Sequence, residues 1–126
     1  MFGNIEVMSM AHLMAVHAGT RQSVIAQNVA NADTPGYRAN EVSSFAETYE
    51  NPGLSMRATR SGHITTPGGP NAPRITEAEG RESPNGNTVT LEREMMSASA
   101  ARQQHDMALS IYQTSLDILR TSIGRR

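Results

Sequence analysis

The sequence contains no cysteine and no tryptophan, and aromatic residues make up only 4% of its 126 residues. The absence of cysteine excludes disulfide bonds, thiol catalysis and zinc–thiolate sites. Hydrophobic residues account for 37% of the chain, and many of them are alanine or methionine. Bulky core-forming side chains are therefore scarce for a chain long enough to form one domain.

The sequence also lacks an excess of charge and a long apolar run. The formal net charge of -1 argues against a nucleic-acid-binding protein or a polybasic membrane anchor. No uninterrupted apolar stretch of about 18 residues occurs, so we predict no membrane span. The N-terminal stretch has no basic residue at its start and contains Glu6, His12 and His17, which is unlike a cleavable signal peptide. We expect any export of this chain to use another route.

Residues 1–33 are predicted to form an N-terminal helical unit. The segment from Ile5 to Asn31 contains no proline, and small or apolar residues recur in it at steps of three and four. These residues are Ala11, Met14, Ala18, Ile25, Val29 and Ala32, with the polar Gln22 in the remaining place. This spacing predicts an amphipathic helix with a narrow apolar stripe, for which Asn4 is a suitable N-cap.

Residues 91–126 are predicted to form a C-terminal helical unit, with a helix from Leu91 to Ile123. Thr90 is a suitable N-cap, and the acidic Glu92 and Glu94 fall in the first turn, where the helix dipole favours negative charge. Steps of three and four alternate along the helix and average 3.5 residues, the coiled-coil period. The resulting seam consists of Met95, Ala98, Arg102, His105, Leu109, Tyr112, Leu116, Leu119 and Ile123.

Two of these seam positions, Arg102 and His105, are polar. Such residues can specify the partner of a coiled coil. The alternative is a local rotation of the helix that brings Ala101 and Ala108 into the seam instead. Either way, the pattern predicts a mainly α fold in which the two long helices pack as an antiparallel coiled-coil hairpin.

The middle unit, residues 34–90, is predicted to be a turn, an extended arm and an irregular segment. The segment from Glu50 to Asn87 holds most of the prolines and glycines of the chain. The stretch "TTPGGPNAP" is incompatible with a helix or a central strand, whereas Asn85-Gly86 is typical of a tight turn. We expect residues 50–87 to be largely disordered in a free monomer and the helical hairpin to be marginal without neighbours.

No pattern in the sequence predicts catalysis, a metal site or a bound cofactor. His12 and His17 are five residues apart and lie on different faces of the predicted helix, and no HExxH motif occurs. A GxSxG nucleophile elbow is also missing. The Gly-rich "TTPGGP" lacks the lysine and the helix of a phosphate-binding loop. We expect the protein not to be an enzyme.

The stretch "NVANADTPGYRA" combines a helix end with several further polar residues. Pro35 disfavours helical backbone at the residue before it, and Pro35-Gly36 suits the central positions of a type II turn. Asp33 is suited to an Asx turn. An ordinary helix end accounts for these three residues, but it does not account for Asn28, Asn31 and Tyr37.

This stretch resembles the N-terminal ANxxTPGY signature of the flagellar rod, hook and hook-associated axial proteins. The matching residues are Ala30, Asn31, Thr34, Pro35, Gly36 and Tyr37, with Asn28 and Asp33 in their usual places. The stretches "TRSGHI" and "NGNTVTLEREMM" are similar to segments of proximal rod proteins in this family. The resemblance covers both ends of the chain and touches its middle.

The resemblance implies a structural subunit that needs no cofactor and transmits torque in the rod of the basal body, in the periplasm. It implies export through the flagellar type III apparatus without a cleaved signal. The implied partners are further copies of the chain, other rod proteins and the membrane-ring adaptor protein, without nucleic acid or membrane insertion. The terminal helices would pack as a coiled-coil layer. The motif would turn the chain into an extended arm, and its Asn and Tyr side chains would contact neighbouring subunits.

Phe45 and Tyr49 match the Phe-x-x-x-hydrophobic signal of early flagellar export substrates, although an ordinary amphipathic patch explains them equally well. Two other functions remain open for the chain as a whole. One is a sister rod protein of the same family. The other is a cytoplasmic coiled-coil adaptor or chaperone, which should be a stable soluble dimer with a dispensable middle loop.

Overall fold

The structure, a computed structural model, describes residues 2–50 and 71–124. Within them, three helices and two short strands follow one another along the chain. They are α1 (Phe2–Ala30), β1 (Asn40–Val42), α2 (Phe45–Glu50), β2 (Ile75–Glu77) and α3 (Leu91–Ile123). None of the described helices combines the length and the apolar character needed to cross a membrane.

The long helices α1 and α3 pack against each other over most of their length. They run antiparallel, since Asn28 near the end of α1 is hydrogen-bonded to Glu94 near the start of α3. Buried residues recur every seven positions along both helices, which is the coiled-coil period. They are Ala11, Ala18 and Ile25 in α1, and Glu94, Ala101, Ala108 and Ser115 in α3. The predicted helical hairpin and the predicted bounds of α3 are confirmed.

The predicted seam of α3 has the right period but the wrong phase for packing on α1. Met95, Leu109 and Ile123 are 71%, 43% and 77% exposed, whereas Ala101 and Ala108 are fully buried. Met95 and Leu109 each follow a buried residue by one position, which turns them away from α1 by about 100°. The contact is centred on alanine because small side chains allow two helices to approach closely.

The other predicted seam residues lie at the edge of this contact or outside it. Arg102 is exposed. The partly buried residues are Ala98, His105, Tyr112, Leu116 and Leu119. Within one chain, α3 therefore contacts α1 through Ala101 and Ala108, called the alanine row below, and not through the predicted seam. This is the rotated arrangement that the sequence predicts as the alternative.

The bounds and caps of α1 also differ from the prediction. The helix begins at Phe2, before Asn4, so Asn4 is not its N-cap. Val29 is exposed, and the buried place at this end of the stripe belongs to Asn28. In α3, Thr90 occupies the N-cap position, but its side chain makes no capping hydrogen bond.

The middle of the chain is more regular than predicted where the structure describes it. β1 and β2 form an antiparallel pair in which Asn40 lies opposite Glu77 and Val42 opposite Ile75. The backbone of Ala78 donates to the carbonyl of Ala39 at 2.8 Å, which extends the pairing by one step. The prediction of an irregular segment is therefore wrong for residues 75–77, and its part in residues 51–70 lies outside the described residues.

Enlarging the alanine row should destabilise the hairpin. We expect Ala108→Leu to lower the free energy of unfolding by about 1–3 kcal/mol, because a larger side chain at a fully buried position forces the helices apart. Ala100→Leu is the matched control, because Ala100 is exposed on the same helix. Urea denaturation of the full chain, followed by far-ultraviolet circular dichroism, measures both. Equal stabilities of the two variants would contradict close packing through alanine.

Candidate functional site

The site is built around Asn28, whose side chain is only 1% exposed. Its amide nitrogen donates to the carbonyl of Asn40 at 2.8 Å and to the carboxylate of Glu94 at 3.2 Å. Its oxygen accepts from the backbone N–H of Asn40 at 3.0 Å and from the hydroxyl of Tyr37 at 3.3 Å. The side chain thus pairs with Asn40 as the backbone of a neighbouring strand would. It connects α1, α3 and the extended segment Tyr37–Val42, called the arm below, at one point.

Asn31 stabilises the end of α1 locally. Its amide nitrogen donates to the carbonyl of Gln27 at 2.8 Å, and its oxygen accepts from the hydroxyl of Thr34 at 3.3 Å. The last carbonyls of a helix have no partner within the helix. The Asn31 side chain adds a second donor to the Gln27 carbonyl, which also accepts from the backbone N–H of Asn31, and through Thr34 it connects the helix end to the following turn.

The predicted type II turn at Thr34-Pro35-Gly36-Tyr37 is confirmed. The backbone N–H of Tyr37 donates to the carbonyl of Thr34 at 3.3 Å, and Gly36 has a positive φ of 71°. This φ at the third position of the turn favours glycine, while the ring of Pro35 supplies the φ of the second. The turn reverses the chain immediately after α1 and directs Tyr37 towards Asn28.

Asn87 completes the end of α1 from a distant part of the chain. Its amide nitrogen lies 2.9 Å from the carbonyl oxygen of Asn31, 2.8 Å from that of Ala32 and 2.9 Å from that of Thr34. Its own oxygen accepts from the N–H of Val89 at 2.7 Å. One buried side chain therefore gathers three carbonyls at the end of α1 and in the following turn, two of which also accept from backbone N–H groups.

Sequence reasoning missed Asn87, because its partners lie more than fifty positions earlier in the chain. The neighbouring Asn85-Gly86 was recognised, and the tight turn predicted there is confirmed. Gly86 has a φ of 80°, and its N–H donates to the carbonyl of Ser83 at 2.8 Å. This turn places Asn87 under the end of α1.

The two glycine turns touch each other. The N–H of Gly36 donates to the carbonyl of Asn85 at 3.0 Å. A Cβ atom on Gly86 would lie only 3.3 Å from the Cα atom of Gly36, tighter than nearly all such contacts in proteins. Both positions favour glycine because of their positive φ, and Gly86 does so also because another backbone approaches it closely.

The motif consequently has an inner and an outer side. The polar side chains of Asn28 and Tyr37 are engaged within the chain, and the expected contact of these side chains with neighbouring subunits stays a prediction. The outer residues are exposed: Ala30, Asp33, Thr34, Pro35 and Gly36. The carboxylate of Asp33 accepts no hydrogen bond from residues 2–50 or 71–124, so the predicted Asx turn is absent from this part of the chain.

The proposed export segment lies in α2, next to the arm. The ring of Phe45 meets the imidazole of His17 edge-to-face, with centroids 5.6 Å apart and planes at 71°. The ring of Tyr49 lies 5.8 Å from that of Phe45 and is partly exposed. In the folded chain Phe45 therefore packs on α1, as an amphipathic patch would.

The chemistry of the site is that of amides and hydroxyls bonded to backbone groups. Within residues 2–50 and 71–124, no group of three histidine or acidic side chains is arranged to hold a metal ion. The arrangement can hold the end of α1, the arm and the start of α3 in one conformation.

Replacing Asn28 should loosen all three of these segments. We expect Asn28→Ala to lower the free energy of unfolding by at least about 2 kcal/mol, because it leaves backbone groups of Asn40 buried without partners. The exposed Gln22→Ala on the same helix is the control and should change stability little. Urea denaturation of the full chain tests this, and a loss no larger than that of the control would show that Asn28 does not hold the arm.

Comparison with known proteins agrees with the motif. The family model described as "Flagella basal body rod protein" matches residues 18–38, which include the end of α1 and the type II turn. The FlgB protein of Escherichia coli strain K12 is 32% identical over 102 residues, covering 71% of this chain and 72% of its own length. Flagellar basal body rod protein FlgB of Salmonella typhimurium is 29% identical over 106 residues, covering 76% and 77%.

A third relative, FlgB of Agrobacterium fabrum, is 29% identical over 118 residues and covers 85% of this chain and 84% of its own. The similarity therefore extends far beyond the motif and includes both long helices. All three relatives are FlgB proteins, which favours this member over the sister rod protein FlgC and over a cytoplasmic adaptor. The chain belongs to the FlgB family of flagellar basal body rod proteins.

Proposed function

We infer that the chain is a structural subunit of the flagellar basal-body rod, which transmits torque and catalyses no reaction. The observation that supports this most directly is the distribution of apolar side chains on α3. Its buried row consists of Glu94 and three small residues, Ala101, Ala108 and Ser115. Bulky side chains at Met95, Leu109 and Ile123 are exposed. A chain whose bulky residues are left outside its own hairpin is suited to packing against neighbours.

We propose that the predicted seam operates between subunits. Met95, Leu109, Leu116 and Ile123 share one side of α3, at spacings of seven and fourteen residues. On that side a shallow groove between α1 and α3 is lined by Ile25, Ala26, Val29, Ala30 and Ala98, among others. Small side chains on the floor of such a groove leave room for a helix of another subunit.

The energetics favour the same interpretation. Each methionine, leucine or isoleucine that becomes fully buried contributes roughly 1.5–3 kcal/mol. Alanine contributes much less, so the contact between α1 and α3 of one chain leaves the larger share of this stabilisation to assembly. We therefore keep the prediction that the isolated hairpin is marginal and gains order among neighbours.

The turn after α1 has a supporting role in this assembly. Asn28, Asn31 and Asn87 fix the direction in which the arm leaves the helix. The outer side of the motif, including Asp33 and Pro35, is then presented at a defined place on the surface. We propose that this outer side, rather than the asparagines and Tyr37, contacts adjoining subunits.

The proposed partners are further copies of the chain, other rod proteins, the membrane-ring adaptor protein and the flagellar type III export apparatus. The proposed location is the periplasmic rod of the basal body, reached without a cleaved signal peptide. Membership of a rod protein family supports these proposals.

Isolated basal bodies from cells with a tagged copy of the chain test the function. We expect the chain in the rod and, after its deletion, an arrest of assembly just above the membrane ring. A stable cytoplasmic dimer that is missing from basal bodies would instead support the adaptor.

A charge in the proposed seam should prevent assembly. We expect Met95→Asp to abolish motility and rod assembly while the chain is still exported, because a carboxylate would be buried between subunits. Met96→Asp is the matched control, because Met96 is equally exposed at 75% but lies about 100° away around the helix. Motility assays and analysis of basal bodies measure both variants. Normal rods with Met95→Asp would exclude this face as an interface.

The export segment can be tested separately. If Phe45 belongs to an export signal, Phe45→Ala should reduce the amount of exported chain several-fold, because the export apparatus would recognise the ring in the unfolded chain. Glu50→Ala serves as the control, because Glu50 follows Tyr49, the second residue of the proposed signal, and does not belong to the signal itself. Export is measured as the fraction of tagged chain outside the cytoplasm. Unchanged export of Phe45→Ala would leave Phe45 as a packing residue of α2.

A further inference from the structure

His17 connects α1 to the segment that follows β1. Its side chain is buried, at 2% exposure, and its Nε2 lies 2.7 Å from the carbonyl oxygen of Ser43. Since a carbonyl only accepts, Nε2 carries a proton and donates it. The ring of Phe45 packs against the same imidazole. One histidine of α1 thus contacts two residues of the segment Ser43–Glu50, namely Ser43 and Phe45.

The other ring nitrogen of His17 has no comparable contact. Nδ1 is buried and has no hydrogen-bond partner among the described residues. In the neutral imidazole it is a bare acceptor, which is tolerated at modest cost. After protonation it would be a charged donor without an acceptor in a buried place, which is far less favourable.

The charged groups around His17 do not offset such a charge. On α1 the nearest is Arg21, which carries the same sign. The segment around Ser43 presents Glu41, Glu47 and Arg74, all of which are exposed to solvent. On α3, the positions that line the pocket beside β1 are Arg93 and Glu94, which carry opposite charges, and the uncharged Ser97.

We propose that His17 is a proton-sensitive latch, which holds the segment Ser43–Glu50 on α1 while neutral and releases it when protonated. The release is local, because α2 has few other contacts with the described elements. The main elements, α1 paired with α3 and β1 paired with β2, remain joined through Asn28. Weakly packed segments of this kind open at lower free energy than the rest of a fold.

The electrostatics agree with this direction. Burial lowers the pKa of His17 below 6.5, and the charge of Arg21 lowers it further, while the hydrogen bond to Ser43 raises the pKa in part. In the released state the pKa returns towards 6.5. Docking is therefore strongest above about pH 6.5 and weakens as the pH falls towards the pKa of the docked state, by up to tenfold per pH unit.

The latch goes beyond the structural role of the subunit, because it makes the exposure of Phe45 and Tyr49 depend on pH. At neutral pH Phe45 packs on His17, and in acid both aromatic rings become accessible. The assembly of α1 and α3 with neighbours is not required for this change. An experiment can therefore contradict the proposed latch without contradicting the proposed function as a rod subunit, and the reverse also holds.

Nuclear magnetic resonance of the full chain tests the latch. The ring signals of the four histidines are assigned with single variants and titrated. We expect His17 to titrate below 6.5, the ordinary pKa of a histidine. The amides of Phe45–Glu50 should lose protection from exchange in the same pH range, relative to His17→Gln, which can donate to Ser43 but does not titrate.

His12→Gln is the matched control and should behave as the unchanged chain does. A pKa of His17 that is not lowered below 6.5 would overturn the proposal, as would equal pH dependence of α2 in the unchanged chain and in His17→Gln. If His17→Gln does not fold, the titration of His17 in the unchanged chain still decides. Loss of protection throughout α1 and α3 at the same pH would also overturn it, because the release would not be local.

Discussion

The fold depends on the pairing of one side-chain amide with one stretch of backbone. Asn28 offers a donor and an acceptor to Asn40 in the same way as a neighbouring strand would, and it does so from within a helix. This lets an extended arm lie against α1 without a sheet between them. Because Asn28 also donates to Glu94, the position of the arm is tied to the register of the two long helices. Any shift of α3 along α1 would leave buried polar groups without partners, which is costly.

The second asparagine of this junction, Asn87, shows how the middle of the chain takes part in the fold. Asn87 donates to carbonyls at the end of α1 and in the type II turn from a position more than fifty residues later. The turn at Gly86, which lies against the backbone of Gly36, precedes it directly. Residues 83–90 therefore belong to the structured junction, although their composition is that of a loop. The polar junction, more than the thin alanine row, specifies a single conformation of the chain.

Local patterns in the sequence predicted the local features of the structure well. The 3.5-residue period gave the bounds of α3, and Pro35-Gly36 identified the turn, because both depend on neighbours in sequence. The rotation of α3 was not predictable in this way, since periodicity shows that a stripe exists but not which partner it faces. Bulky Met95 and Leu109 marked the more hydrophobic stripe, whereas α1 packs on Ala101 and Ala108. The roles of Asn87 and of β2 depend on contacts across more than thirty residues, for which a single sequence contains no local signal.

The exposure of the more hydrophobic stripe of α3 is itself informative about function. In a self-sufficient protein the bulkiest side chains are buried first, because they contribute most to the hydrophobic effect. Here the small residues of α3 are buried and bulky ones remain exposed. Hydrogen bonds of Asn28 and Asn87 specify a single conformation, which packing of small side chains alone specifies poorly. Such a chain keeps its shape through polar specificity and leaves much of its apolar surface for other molecules. In the proposed assembly, folding and assembly would be coupled, since the bulky side chains of α3 gain the free energy of burial only when a neighbour covers them. The proposed coupling would suit a rod subunit, because the chain would gain order as its neighbours pack on it.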